Sequence, residues 1–251
     1  MRKKIILLII VLMFSGCVKI DETNILRKLV LYSILNNKNP YHTIILDSIY
    51  SLEDSIVIDS CGIRGVNIVL RDNEGNEYPF DSVDQNRHYV NSTPFYPEPS
   101  KEYSIYLKYK DFYEINTITK CPEPVIFNKT EYYADTINSD TIYWNYNSDY
   151  LYQVIVYWDT LYGYTDFNEY STDTAYLTSS LREYLSSSPD TSDTSAYKTV
   201  KFYIYSYDSN YKDWYINLYE YGMFNPMEDT LSYFGYFASI AVESVNVFIQ
   251  R

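Results

Sequence analysis

Residues 101–110 read KEYSIYLKYK. Tyr103, Ile105, Leu107 and Tyr109 point one way; Ser104, Tyr106, Lys108 and Lys110 point the other. An apolar–polar alternation of period two is the signature of a strand with one buried and one solvated face. Reading outward, the same period recurs. EINTIT (114–119) completes the pattern and reaches Cys121. Upstream, GVNIVL (65–70) alternates Val66, Ile68 and Leu70 against Asn67, Val69 and Arg71. DNEG (72–75) then supplies a turn in which Gly75 can take positive φ, and EYPF (77–80) follows as the returning strand. KLVLYSIL (28–35) and HTIILDSIY (42–50) flank a polar NNKNP turn. Strands at about ten-residue spacing with turn signals between them predict a sandwich.

Composition agrees. The chain holds 32 tyrosines in 251 residues and only seven glycines, and tyrosine, with Ile, Val and Thr, favours the pleated, half-buried surface of a sheet. Cys121-Pro122-Glu123-Pro124 is the clearest boundary, because two prolines stiffen the chain and cannot continue a central strand. Beyond it come VIFNKT, TIYWNYN and YLYQVIVYWD (150–159), in which Tyr152, Val154, Val156 and Trp158 share a face. TVKFYIYSYD (199–208) places Val200, Phe202 and Ile204 inward and Tyr203, Tyr205 and Tyr207 outward, and SVNVFIQR (244–251) is a final strand. Two stretches show helical spacing instead: TAYLTSSLREYL (174–185) and DWYINLYEYG (213–222), the latter with Gly222 as a C-cap. The predicted fold is all-β: two Ig-like or fibronectin-like sandwiches in tandem, residues 26–121 and 122–251, with one or two short helices inserted in the second.

The N-terminus carries a different message. Arg2, Lys3 and Lys4 precede ten apolar residues, Ile5 to Phe14. As a helix these cover roughly 15 Å, half of what a bilayer core requires. A basic start, a short apolar run and small residues before a cleavage point form the grammar of a secretory signal. LMFSGC (12–17) resembles the lipobox of bacterial lipoproteins, in which the cysteine is acylated and becomes the mature N-terminus. The expectation is a signal peptide over 1–16, lipidation of Cys17 and a linker over 17–25. Val18 follows the cysteine with no aspartate, which by resemblance to the enteric sorting rule implies an outer-membrane destination, on its periplasmic or outer face.

Charge excludes one class of partner. Removing the three basic residues of the leader takes the formal charge from −13 to −16; such a surface repels nucleic acid. Cys61 and Cys121 form an even pair in an oxidising compartment. A bridge between them would close a loop of about 60 residues and contribute roughly 4 kcal/mol; two unpaired buried thiols are the alternative.

Catalytic signatures are sparse. His42 and His88 are the two histidines; neither sits in a motif that would activate a nucleophile, and both read as surface residues. Asp72 to Glu77 cluster oxygen donors without EF-hand spacing, so a hairpin turn is favoured over a Ca²⁺ site. No metal or other cofactor is expected, and the chain reads as a non-catalytic module. The positive candidate is aromatic surface. Tyr203, Tyr205 and Tyr207 could form a ladder with Tyr143 or Tyr157 on neighbouring strands, and flat amphipathic rings suit a glycan or a partner protein or peptide. The alternative is that a helix near 177–185 covers this face as ordinary core.

Two resemblances accompany these readings. The second half is similar to a fibronectin type III domain: prolines at its start, Trp144 about twenty residues on, Tyr152-x-Val154, and Phe202-x-Ile204-x-Ser206-x-Asp208 occur in that family's order. It departs at Val200, where the family carries the tyrosine of its corner. The whole chain resembles a family of uncharacterised outer-membrane lipoproteins found with TonB-dependent receptors. The lipobox, LRKLVLYSIL, RGVNIVLRDNEG, KEYSIYLKY before a proline boundary, YDSNYKDWYINLYEY and YFGYFASIAVESVNVFI carry it. That resemblance implies an Ig-like or transthyretin-like N-terminal domain and an accessory role beside an outer-membrane transporter. A structural or adhesive module, or a carboxylate-dependent hydrolase, are the competing functions.

Overall fold

The computed structural model describes residues 29–48, 63–86, 88–109, 113–135, 138–159, 162–166, 174–175, 197–220 and 233–250. Cys17, Cys61 and residues 176–185, on which three of the sequence expectations fall, lie outside them.

The architecture is all-β with one described helix. The N-terminal strands are β1 (Leu29–Asn36), β2 (Thr43–Ser48), β3 (Val69–Asp72), β4 (Glu77–Pro79), β5 (Ser82–Val83), β6 (Tyr89–Val90), β7 (Glu102–Tyr109) and β8 (Tyr113–Lys120). After the prolines come β9 (Glu131–Ala134), β10 (Ile142–Tyr143), β11 (Leu151–Asp159), β12 (Tyr162–Asp166), β13 (Thr174–Ala175) and β14 (Tyr197–Tyr207). Helix α1 (Ser209–Glu220) and the long β15 (Tyr233–Gln250) complete the chain. Thr174 and Ala175, expected to start a helix, instead pair as a strand with Tyr143 and Ile142.

Alternation is realised strand by strand. Tyr103, Ile105 and Leu107 are buried, while Glu102, Tyr106 and Lys108 are exposed. Leu29, Leu31, Ser33 and Leu35 do the same on β1, and Val200, Phe202, Ile204 and Ser206 on β14. One core joins β1 and β2 with β3, β7 and β8 through Leu31, Ile44, Leu70, Ile105 and Ile115. A second joins β11, β14 and β15 with β9 and β10 through Val154, Phe202, Val247, Tyr132 and Ile142, with Trp144 beside them.

The last strand links these cores. Tyr233–Ile240 pairs parallel with β1. Ile240–Gln250 pairs antiparallel with β14, and Asn246–Ile249 pairs parallel with β9. Both cores therefore hang on one 18-residue strand, and Phe237 belongs to the first of them. Where β1 leaves the sheet, its ladder is continued by a side chain: Asn37 Oδ1 accepts Val242 N–H at 2.9 Å. The parallel contact also explains a glycine. Gly235 sits at φ 105° opposite Leu31, and a Cβ there would lie 2.0 Å from the Leu31 carbonyl oxygen. Only glycine permits that approach.

Candidate functional site

The outer face of the large sheet carries the aromatic candidates. Because β14 buries its even residues, Tyr203, Tyr205 and Tyr207 all point away from the core, half-buried. Tyr157, exposed on β11, meets Tyr203 edge-on at 5.1 Å. Lys201 places its ammonium 5.2 Å from the centre of the Tyr203 ring, a cation–π contact. Tyr205 lies between: burial raises its phenol pKa, and the neighbouring Tyr157 and Tyr203 hydroxyls add to that rise.

At its other end the row continues onto the helix. Tyr207 stacks on Tyr211 at 4.4 Å and donates its hydroxyl to Gln153 Oε1 at 2.7 Å. Tyr211 contacts Trp214 and Tyr236, and Tyr236 meets Tyr32 at 5.2 Å. Tyr236 is deep enough that burial pushes its phenol up to about 12. The result is a band of rings crossing β11, β14, β15 and β1. Its β1 end packs against the Trp214 ring of α1, where Tyr32 and Tyr236 stay partly buried, whereas its β11 end opens at Tyr157, 40% exposed. The cover at one end thus comes from Ser209–Glu220.

Tyr143 does not join this band. Its neighbours Ile142 and Trp144 face the second core from the opposite layer, so Tyr143 points from that layer to the other side of the molecule. The expected ladder took Tyr143 to lie on a strand beside β14; its strand β10 pairs with β13 instead, and strand pairing cannot be read from period alone.

Asp208 starts the helix. Its Oδ1 accepts Tyr211 N–H at 3.1 Å, the geometry of an N-cap. Its Oδ2 accepts the Thr119 hydroxyl from β8 and Ser239 N–H at 3.2 Å from β15. Asn210 reinforces this junction, donating to the carbonyls of Ile118 and Phe237. Burial raises the Asp208 carboxyl to about 6, against the lowering effect of its donors. Asp208, three residues ahead of YKDW (211–214), is the sequence signal for this cap; the helix starts at Ser209, four residues before the expected 213.

Cys121, expected in a bridge, carries a free buried thiol in this structure. Burial, with Asp208 and Glu123 nearby, pushes it up to about 12, so the thiol is protonated and unreactive at neutral pH.

The oxygen-rich turn after β3 is a hairpin, and its centre is occupied by an ammonium. Lys101 Nζ lies 3.0 Å from Asp72 Oδ2, 3.0 Å from Glu74 Oε2 and 3.2 Å from Glu98 Oε1. The position a cation would take in this cluster belongs to the lysine.

The histidine expectation is corrected for one of the two. His42 is only 2% exposed. Asn36 N–H donates to its Nδ1 at 3.3 Å, so the proton resides on Nε2, which faces the Phe95 carbonyl at 3.3 Å. Desolvation lowers its pKa to about 4 and keeps it neutral. The turn that looked like surface is roofed by Phe95 and Asn91. His88 remains partly exposed and contacts Asp84 at 3.3 Å.

Among the described residues no helix is long and apolar enough to cross a membrane. No protein-family model matches the chain, and the comparison with curated proteins returned no significant similarity.

Proposed function

We propose that this protein is a lipid-anchored binding or assembly module of the bacterial outer membrane, accessory to a transporter, and that it performs no catalysis itself. On this reading Cys17 carries the lipid. The two cores are Ig-like or fibronectin-like sandwiches sharing β15, and the open end of the tyrosine band is the contact surface. One observation carries the binding role: Tyr157, Tyr203 and Tyr205 lie together on an outward sheet face that ends at an exposed ring. Rings of this kind offer contact area with few rotatable bonds, and each brings a hydroxyl to the rim.

The anchor and the surface are tested separately. Cys17→Ser should release the chain from the membrane fraction; retention would refute lipidation at that residue. For the surface, a photo-crosslinking amino acid at position 157 should yield a defined adduct with an outer-membrane barrel protein in intact cells. The same probe at 143, on the opposite layer, should yield none. Equal labelling from both positions, or none from 157, overturns the assigned face.

A further inference from the structure

A second site lies at the far end of β15. β9 runs beside Asn246–Ile249, and the chain returns through Ser139 to bridge Ala134. Between this return and Gln250 is a cavity of about 320 Å³ lined by Tyr133, Asp135, Asn138, Ser139, Asp140 and Gln250. That volume falls at the small end of ligand sites, which span about 300–1,000 Å³.

Its walls are held in place from behind. Tyr133 N–H donates to Asp140 Oδ2 at 3.1 Å, and Asp140 N–H donates to the Tyr133 carbonyl at 2.9 Å. Asp135 N–H donates to the Asn138 carbonyl at 2.8 Å, and Asn138 N–H returns to Asp135 Oδ1 at 2.5 Å. The Tyr133 ring stacks on Phe248 at 5.4 Å and 26°, while its hydroxyl donates to Glu131. One face of a flat ring is thereby backed, and the side chain as a whole stays 50% exposed.

We propose that this cavity binds a neutral sugar ring or disaccharide. The Tyr133 ring presents a surface for the C–H face of a pyranose. The Asn138 and Gln250 amides and the Asp140 carboxylate supply the mixed donors and acceptors that adjacent hydroxyls require. Among the described residues the rim carries Asp135, Asp140 and Glu131 beside Lys129, which pairs with Asp140 at 3.2 Å, and this acidic balance disfavours uronates, sulfates and phosphates. This deepens the binding role proposed above by assigning a ligand class to a different place on the molecule. The placement also fits a tether: Leu29 pairs with Tyr233 at the start of β15. The cavity adjoins its end, roughly 55 Å along the strand at ~3.3 Å per residue. An anchor ahead of Leu29 therefore leaves the cavity remote from the tether root.

The test is saturation-transfer NMR on the detergent-solubilised full chain, with neutral hexoses and their disaccharides as probes and hexuronates as the anionic arm. Neutral sugars should show transfer at millimolar concentration and hexuronates little. Tyr133→Ala should weaken binding by about tenfold or more, whereas Tyr133→Phe, which keeps the ring, should bind within about twofold. Asn138→Ala, at an exposed position, gives a second reading if Tyr133→Ala disturbs folding, and should also weaken binding. Tyr203→Ala should leave it unchanged, which separates this cavity from the tyrosine band. Failure of every neutral sugar, undiminished binding in both Tyr133→Ala and Asn138→Ala, equal binding of hexuronates, or loss in Tyr203→Ala would each overturn the proposal.

Discussion

Two buried aspartates, in two parts of the molecule, end up on opposite sides of the ordinary carboxylate range. Asp72, in the β3–β4 hairpin, would be raised by burial, but donors from Asn76, Lys101 and Glu74 hold it well below its usual value. Asp208, at the junction of β8, β15 and α1, is raised to about 6 although its oxygens also accept several hydrogen bonds. The number of donors does not separate them, since both are well supplied. What separates them is an ammonium 3.0 Å from Asp72, whereas among the described residues no basic side chain pairs with Asp208. Donated hydrogen bonds offset part of the desolvation of a carboxylate; a paired ammonium overcomes it.

The largest effect should come from making the hairpin resemble the junction. Lys101→Met leaves Asp72 buried with its hydrogen bonds but without its counter-charge, beside Glu74 and Glu98. Removing one partner of a buried pair costs about 3 kcal/mol or more, and urea unfolding at pH 7 should show a loss of that order. The variant should also regain stability on acidification, as Asp72 becomes able to take up a proton. A loss below about 1 kcal/mol with an unchanged pH profile would mean that the lysine is incidental to Asp72.

A second comparison pits Asp208 against His42. The folded pKa of Asp208, about 6, exceeds the unfolded 3.8. The folded state therefore binds the extra proton, and stability from this group is present in acid and lost as pH rises from about 4 to about 6. For His42 the folded value of about 4 lies below the unfolded 6.5. Its contribution is complete above about 6.5 and is lost as pH falls toward 4. Each displacement corresponds to about 3 kcal/mol, and the two act in opposite directions over nearly the same window. The native protein should thus show a shallow stability profile between pH 4 and 6.5. Asp208→Asn should unmask the histidine, giving a fold that weakens on acidification. His42→Gln should unmask the aspartate, giving a fold that strengthens on acidification. Identical slopes in both variants would refute the opposition.

The sequence exposed some of these features and concealed others for a physical reason. Inward and outward faces of β1, β7 and β14 followed from period two, because alternation is a local property of the pleat. The DNEG turn was equally local: Asp72, Gly75 and Asn76 satisfy one another within five residues. Which sheet a strand joins is not local. Nothing between Tyr233 and Gln250 announces that its first half completes the N-terminal sheet, apart from Gly235, whose requirement depends on Leu31 about two hundred residues away. Tyr143 failed as a ladder member for the same reason. His42 reads as a surface residue in the sequence because its roof, Asn91 and Phe95, lies some fifty residues downstream. The cavity beside Gln250 joins the chain's end to a turn near residue 138 and could be read only once β9 had been paired with β15.

The smallest expected effect sharpens the first comparison within a single hairpin. Arg71 and Glu77 make the closer ion pair, 2.7 Å against 3.0 Å for Lys101 and Asp72. Distance alone would rank it stronger. Yet both side chains are more than half exposed, 56% and 54%, while the Lys101 side chain is 9% exposed and that of Asp72 is fully enclosed. Water solvates Arg71 and Glu77 nearly as well apart as together, and holding two long side chains in one geometry costs rotamer freedom. Arg71→Ala should therefore change unfolding stability by no more than about 0.5 kcal/mol, and added salt should erase even that. If it cost as much as Lys101→Met, burial would not be what gives the neighbouring lysine its weight, and proximity would have to be restored as the governing variable.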